Sequence, residues 1–367
     1  MILHVNGRFY GQPITGVQRY ARELLAAVDA RAAGPGLPAP FTGVVAHLPA
    51  GVAAPQGLSA VRIRHHGPGR GHVWEQLVLP RVAHDGLLFC PGNTAPLLSL
   101  ARGRVVVTIH DLSFRYVPEA YSLPFRAWYH ALTPLIVRRA TRIITVSESE
   151  RQAIMRIYPR AAARLVAIQN GASVAPTVPI APVAPIVPDP YILYVGSLSR
   201  RKNFPGVLAA FDLMAARRPG LRLAVVGGTS RVFASAGIEL RDGVRERATF
   251  LGQVEDHATL VAAYRGACCL VFPSFYEASP LPPTEAMAFG CPVVAADIPS
   301  LRERCGDAAL YCDPHDPGAI ARAVERVLDD GALGDDLRRR GAARVAALTW
   351  AACADRTLAV LAEAACA

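Results

Sequence analysis

Lysine is almost missing from this chain: of 39 basic side chains in 367 residues, Lys202 is the one lysine and the other 38 are arginine. Where arginine serves for every generic positive charge, a lone lysine marks a place that wants a compact ammonium with three donors rather than a wide planar fork. Other absences exclude whole classes. No uninterrupted apolar run approaches the ~20 residues that cross a bilayer as a helix. The opening Met1-Ile-Leu-His-Val-Asn-Gly7 turns polar too soon for a signal peptide and reads as a first strand. The eight cysteines are scattered, with no Cys-x-x-Cys, which argues against a zinc site or a disulfide frame and suits buried thiols in a reducing cytoplasm. No Asp-x-Asp occurs, so nothing in the sequence calls for a bridging divalent metal. Nor is there a full Gly-x-Gly-x-x-Gly with a later acidic residue, which argues against a nicotinamide cofactor.

What is present suits two domains. A chain of 367 residues with 52% apolar side chains outgrows one ordinary core and can fill two. The charge is uneven: residues 1–175 carry 19 arginines against 8 acidic residues, while 176–367 carry 20 basic and 21 acidic. The arginines of the first half are dispersed through helix-like segments with no zinc-finger, P-loop or aromatic single-strand pattern, so nucleic acid is not the expected partner. An anionic membrane surface or a phosphate-bearing lipid acceptor fits better.

Apolar runs alternating with helical spacing give a βα pattern twice over. In the first half, strands are expected at 2–5, 42–47, 60–64, 86–90, 105–109, 141–147 and 165–168, with helices from Val17, Trp74, Leu123 and Ser149. His65 to His72 reads as a turn-rich polar loop, disordered or facing an acceptor, because no cysteine or carboxylate joins its three histidines at metal-ligand spacing. Proline-rich residues 176–190 read as a linker between domains at 1–175 and 191–349. Three helical segments follow Pro317, and 350–367 is expected to cross back onto the first domain.

Candidate site residues gather where strands end. Val105 to Ile109 leads into His110 and Asp111, at the carboxyl end of a buried strand, where open parallel sheets bind ligands; Asp111 is expected to orient the loop or the histidine. Thr15-Gly16 opens a helix and leaves free amides. Tyr191 to Val195 runs through Gly196 and Ser197 into Arg200-Arg201-Lys202-Asn203. The densest signal is 272–290, a strand running into a helix that opens at Pro283 or Thr284, with Glu277 in the loop and Glu285 in the first turn. Pro280, Pro282 and Pro283 stiffen the loop and hold the carboxylates at a fixed separation. A carboxylate can accept two hydrogen bonds from a vicinal diol, which a ribose or hexose offers.

Glu277-Ala-Ser-Pro-Leu-Pro-Pro-Thr-Glu285 resembles the glutamate, seven residues, glutamate signature of family 4 retaining glycosyltransferases, and is most similar to their bacterial mannosyltransferase and rhamnosyltransferase branch. The resemblance implies an α/β fold of the GT-B type, two Rossmann-like domains facing across a cleft. It implies that Glu277 contacts the donor sugar near its 3- and 4-hydroxyls, that Glu285 takes the ribose, and that Ala278, Ser279 and Leu281 line the same pocket. Many members have Gly-Phe-Gly after the first glutamate, whereas Pro280 here has no N–H to offer. Arg201 and Lys202 match the basic pair that neutralises the donor diphosphate, with Ser197 where many members have an arginine. Gly16 matches the glycine loop that approaches donor phosphates and acceptor, His110 the residue beside the anomeric carbon, and Phe250 to Asp256 the base pocket.

The implied reaction moves a hexosyl group from a nucleoside diphosphate sugar, guanosine diphosphate mannose by preference, to a glycan or polyprenyl-diphosphate-linked acceptor. Configuration is retained and no metal or other cofactor is needed. The place is the cytoplasm or the inner face of its membrane. A sugar-nucleotide 2-epimerase of the same fold and a non-catalytic basic docking protein are the competing readings. Donor base, acceptor identity and oligomeric state are not legible.

Overall fold

The computed structural model describes all residues except 119–120, 173–185, 229–244 and 255. The chain forms two compact units, Met1–Gly171 with Leu348–Ala367, and Ala172–Ala347.

The first unit is built on a seven-stranded parallel sheet: β1 (Ile2–Asn6), β2 (Gly43–Pro49), β3 (Arg62–His66), β4 (Leu87–Cys90), β5 (Val105–Ile109), β6 (Arg142–Thr145) and β7 (Leu165–Ala167). Its order is β3-β2-β1-β4-β5-β6-β7. β5 is buried along its whole length, as five apolar or β-branched residues in a row require of a central parallel strand. On one face Val105, Val107 and Ile109 pack with Trp74, Leu132, Ile136 and Ile154. The last helix, Trp350–Cys366, packs against the helix Gly16–Ala33, with Arg31 Nε 2.9 Å from Asp355. Gly171 makes room for that helix, since a Cβ there would fall 2.4 Å from the Trp350 ring.

The second unit has six parallel strands: β8 (Tyr191–Val195), β9 (Arg222–Val226), β10 (Ala248–Gly252), β11 (Leu270–Phe272), β12 (Val293–Ala296) and β13 (Ala309–Cys312). The order is β10-β9-β8-β11-β12-β13. Alternation along β8 feeds two cores. Ile192 and Tyr194 join Phe204, Phe211 and Val324, while Tyr191 and Leu193 join Tyr264, Phe272 and Met287. Cover on both faces is why these strands read as nearly continuous apolar runs.

The first unit's strand ends differ from expectation by no more than two residues, and the glutamate-bearing helix starts earlier, at Pro282. One expectation is overturned. His65 and His66 end β3 and His72 lies in a helix, Gly71–Leu77, so 65–72 is not one polar loop. The Gly67-Pro-Gly69 turn suggested a loop, but pairing of β3 with β2 extends to His66 opposite Pro49. Of the expected linker, 176–185 lies outside the described residues, as does Glu255 of the base-pocket segment. The helical stretch 331–366 contains a window long and apolar enough, on average, to cross a membrane. It comprises two helices, Gly331–Ala346 and Trp350–Cys366, the first carrying Arg338, Arg339, Arg340 and Arg344.

Candidate active site

Both strand orders reverse once: at β1 and β4 in the first unit, at β8 and β11 in the second. The crevice beyond the strand carboxyl ends at such a reversal is where open α/β sheets take ligands.

In the second unit the loops after β8 and β11 meet there. Asn203 adopts a left-handed conformation, φ 53°, and its side chain accepts the Gly206 N–H at 3.2 Å, capping the helix Phe204–Ala215. Its Nδ2 donates to the Pro314 carbonyl at 2.6 Å. This buried pin fixes the two residues before it. Arg201 donates through Nη1 to the Tyr276 carbonyl at 2.9 Å, and its own carbonyl accepts the Phe275 N–H at 3.0 Å. The loop carrying Glu277 is thereby laid along the cation pair.

Glu277 is 7% exposed, and one of its oxygens, Oε1, lies 2.6 Å from Lys202 Nζ and 3.5 Å from Arg201 Nη1. Lys202 Nζ also stands 4.8 Å from the centroid of the Phe272 ring. A compact ammonium fits between ring and carboxylate, which gives the lone lysine a physical role. Both cations share that carboxylate, and Ser274 Oγ and Ser279 Oγ are buried in the same loop without hydrogen-bond partners among the described residues. Unsatisfied buried hydroxyls suit a hydroxyl-rich ligand.

Glu285 is buried in the first turn of the helix Pro282–Ala288. Its Oε2 accepts the Tyr264 hydroxyl at 2.9 Å, and Tyr264 stacks on Phe289 at 5.8 Å. Leu281 is buried and its carbonyl accepts the Glu285 N–H and the Thr284 hydroxyl, both at 2.9 Å. Ala278 is half-buried. Ser197 is exposed, with its carbonyl held by the Tyr194 hydroxyl at 2.6 Å. Arg201, Lys202 and Glu277 thus form one cluster, and Glu285 is braced by Tyr264. Sequence reasoning missed Tyr264 and the pinning role of Asn203.

In the first unit His110 follows β5 and is buried. Its Nε2 lies 2.8 Å from the Pro91 carbonyl, which can only accept, so Nε2 carries a proton. Burial pushes the imidazole below its ordinary pKa, so the ring is neutral and Nδ1 bare. The His110 N–H donates to Asn93 Oδ1 at 2.6 Å, and Tyr20 meets the ring edge-on at 4.7 Å. Asp111 orients the loop by accepting the Ser113 N–H at 3.0 Å and hydroxyl at 2.5 Å. Gly16 opens its helix and is exposed, and a Cβ there would meet nothing within 4 Å.

The reversal between β1 and β4 holds a second buried cluster. Glu75 is fully buried and accepts Asn6 Nδ2 at 2.7 Å, the Thr94 hydroxyl at 2.8 Å and His72 Nδ1 at 3.1 Å. Arg8 Nε lies 3.4 Å away. Burial opposes ionisation of Glu75, but the His72 hydrogen bond and the Arg8 charge outweigh it and hold the carboxyl below its ordinary pKa.

Two parallel α/β units with these sites define a class. Anabaena HepE in complex with UDP-glucose superposes at TM-score 0.72, covering 99% of each chain at 17% identity, and sucrose-phosphate synthase from Thermosynechococcus elongatus at 0.71, covering 99% of this chain and 98% of that one at 22% identity. The fold is that of the GT-B glycosyltransferases. Residues 14–175 match the family model described as Glycosyltransferase Family 4, and residues 182–344 that described as Glycosyl transferases group 1. The O-antigen chain mannosyltransferase B of Escherichia coli is 31% identical over 267 residues, 70% of this chain and 69% of that protein. The chain belongs to this glycosyltransferase family.

Proposed function

We propose that this glycosyltransferase moves a mannose-type hexosyl group from a nucleoside diphosphate sugar, guanosine diphosphate mannose by preference, to a hydroxyl of a glycan or polyprenyl-diphosphate-linked acceptor. Configuration is retained and no metal is required. The observation that carries this reading is the shared carboxylate of Glu277 with Lys202 and Arg201. Before donor arrives, Glu277 keeps both cations in place; the diphosphate then takes over their charge and frees the carboxylate for sugar hydroxyls. Glu285, braced by Tyr264, takes the ribose diol.

As the bond between the anomeric carbon and the diphosphate breaks, its electron pair goes to the phosphate oxygen, where Arg201 and Lys202 offset the growing charge. The acceptor oxygen bonds to the anomeric carbon on the same face, and its proton passes to the departing phosphate. Mannose is preferred because the Escherichia coli relative is named a mannosyltransferase. A place on the inner membrane face is supported by the helix Leu123–Arg139, which exposes Leu123, Phe125 and Leu135 along with Arg138 and Arg139.

The test is to incubate the protein with guanosine diphosphate mannose, uridine diphosphate glucose or thymidine diphosphate rhamnose, each with and without a mannose-terminated acceptor. Acceptor-stimulated release of guanosine diphosphate is expected. A C2 epimer formed from donor alone makes the chain an epimerase, and no turnover with any donor makes it a binder; either outcome overturns the reading.

A further inference from the structure

The first unit's cluster has no part in the chemistry assigned so far, yet it lies at a strand-order reversal, with Asn6 ending β1, Arg8 just beyond it and Thr94 just beyond β4. Its charges are already matched. Arg8 pairs with Glu75 at 3.4 Å and donates through Nη2 to the Thr94 hydroxyl at 3.0 Å, while Thr94 and Asn6 complete the carboxylate's shell. A ligand drawn here meets no uncompensated charge, which favours neutral hydroxyls over phosphate.

One member of the cluster reaches outward. His72 is bound through Nδ1 to Glu75 Oε2 and its side chain is 37% exposed. An ionised carboxylate only accepts, so Nδ1 carries a proton, and the ring's other nitrogen, Nε2, has no partner among the described residues. The Trp128 ring lies 5.4 Å from the imidazole, centroid to centroid, and its Nε1–H is shut off from water without a hydrogen-bond partner among the described residues. The free protein therefore sets an unpartnered ring nitrogen and an unsatisfied donor on neighbouring rings. A sugar supplies what both lack: one hydroxyl, which can donate or accept, can pair with Nε2, a second can accept from the indole, and its C–H face can lie against the rings.

We propose that His72 and Trp128 bind the hydroxyls of the saccharide acceptor, with Glu75 as the positioning residue that fixes the imidazole's tautomer and orientation. The assignment rests on the glycosyl-transfer reading above. It sets apart what the first unit recognises, a neutral sugar terminus, from the charged donor bound by the second.

The test uses the full-length protein and two probes measured separately, guanosine diphosphate by calorimetry and methyl α-D-mannopyranoside by saturation-transfer NMR. His72→Leu removes the hydrogen-bonding nitrogen, and the mannoside should bind about tenfold more weakly, the usual loss for one such hydrogen bond. His72→Gln keeps an amide that can donate or accept near the place of Nε2 and should restore affinity to within about threefold of wild type, a rescue that a packing role would not give. Glu75→Gln, which loosens the imidazole without removing it, should fall between the two. Guanosine diphosphate affinity should hold in every variant, which shows the second unit's site to be intact. Mannoside binding by His72→Leu as tight as wild type, or a glutamine variant no better than the leucine one, overturns the assignment. So does a wild-type protein that binds nucleotide but no mannoside. A wild-type protein that binds no nucleotide overturns instead the transfer reading on which it rests.

Discussion

Replacing Lys202 probes the proposed donor site at the contact between its ammonium and Glu277. In the free protein the ammonium is 2.6 Å from Glu277 Oε1, so donor binding exchanges one anion for another rather than creating an ion pair from nothing. The ground-state loss in Lys202→Ala should therefore sit at the low end of a charge-assisted hydrogen bond, about 1.5 kcal/mol or roughly tenfold in donor affinity. In the transition state a full charge develops on the leaving phosphate, and deleting one preorganised donor to such a charge costs about a hundredfold or more in turnover. Turnover should thus fall about ten times further than affinity. Lys202→Arg is the sharper change: the Phe272 ring at 4.8 Å and the Arg201 guanidinium 3.5 Å from the same carboxylate oxygen leave little room for a second planar fork. We expect it to stay at least about tenfold below wild type. Steady-state kinetics at saturating acceptor, beside calorimetric donor affinity, separate the two effects. Full turnover in Lys202→Ala refutes the role of the ammonium, and full turnover in Lys202→Arg alone refutes the argument from its shape.

Other outcomes follow from single contacts. Glu285→Ala should weaken guanosine diphosphate binding about ten- to a hundredfold, and Tyr264→Phe, which removes only the 2.9 Å brace, by about threefold to tenfold; equal affinities by calorimetry would remove both from the site. A chain of rings links three strands, with His4 Nε2 2.7 Å from Asp85, His4 Nδ1 2.8 Å from His47 Nε2 and His47 Nδ1 3.0 Å from His66 Nε2. Burial depresses all three, against the pull of Asp85 on His4 and helped by the neighbouring rings at His47, which falls to about 3. A depressed histidine stabilises the fold above its unfolded pKa of about 6.5, and that stability drains away as pH falls towards about 3. The thermal midpoint should drop more steeply between about pH 7 and 4 in wild type than in His47→Leu, and parallel slopes would contradict this. Arg138→Glu with Arg139→Glu should reduce co-sedimentation with anionic vesicles at low salt and matter little at high salt; unchanged sedimentation at low salt removes this helix from membrane binding.

The basic pair Arg201-Lys202 and the stretch Glu277 to Glu285 were legible because each is a local pattern, and the scarcity of lysine singled out one position; that the two stretches meet was not. The braces were not legible. Tyr264 meets Glu285 across 21 residues, and Asn203 meets Pro314 across 111, so each pairing exists only once the sheet has formed. The histidine chain depends on which residues neighbouring strands set side by side, and Gly67-Pro-Gly69 pointed to a loop where β3 was still paired. Glu75 left one trace, a carboxylate beside Trp74 just ahead of the apolar run Leu77 to Pro80. Its partners Asn6 and Thr94 lie 69 and 19 residues away and gave no local sign of a buried anion.

The most direct measurement follows the anomeric carbon itself. Guanosine diphosphate mannose labelled with carbon-13 at C1 is incubated with a mannose-terminated acceptor, and the one-bond carbon–hydrogen coupling of the product is read by NMR. Transfer on one face of the sugar, with Lys202 and Arg201 drawing off the diphosphate, predicts an α-linked product formed together with guanosine diphosphate. A β-linked product, or label moved into a C2 epimer of the donor, contradicts it.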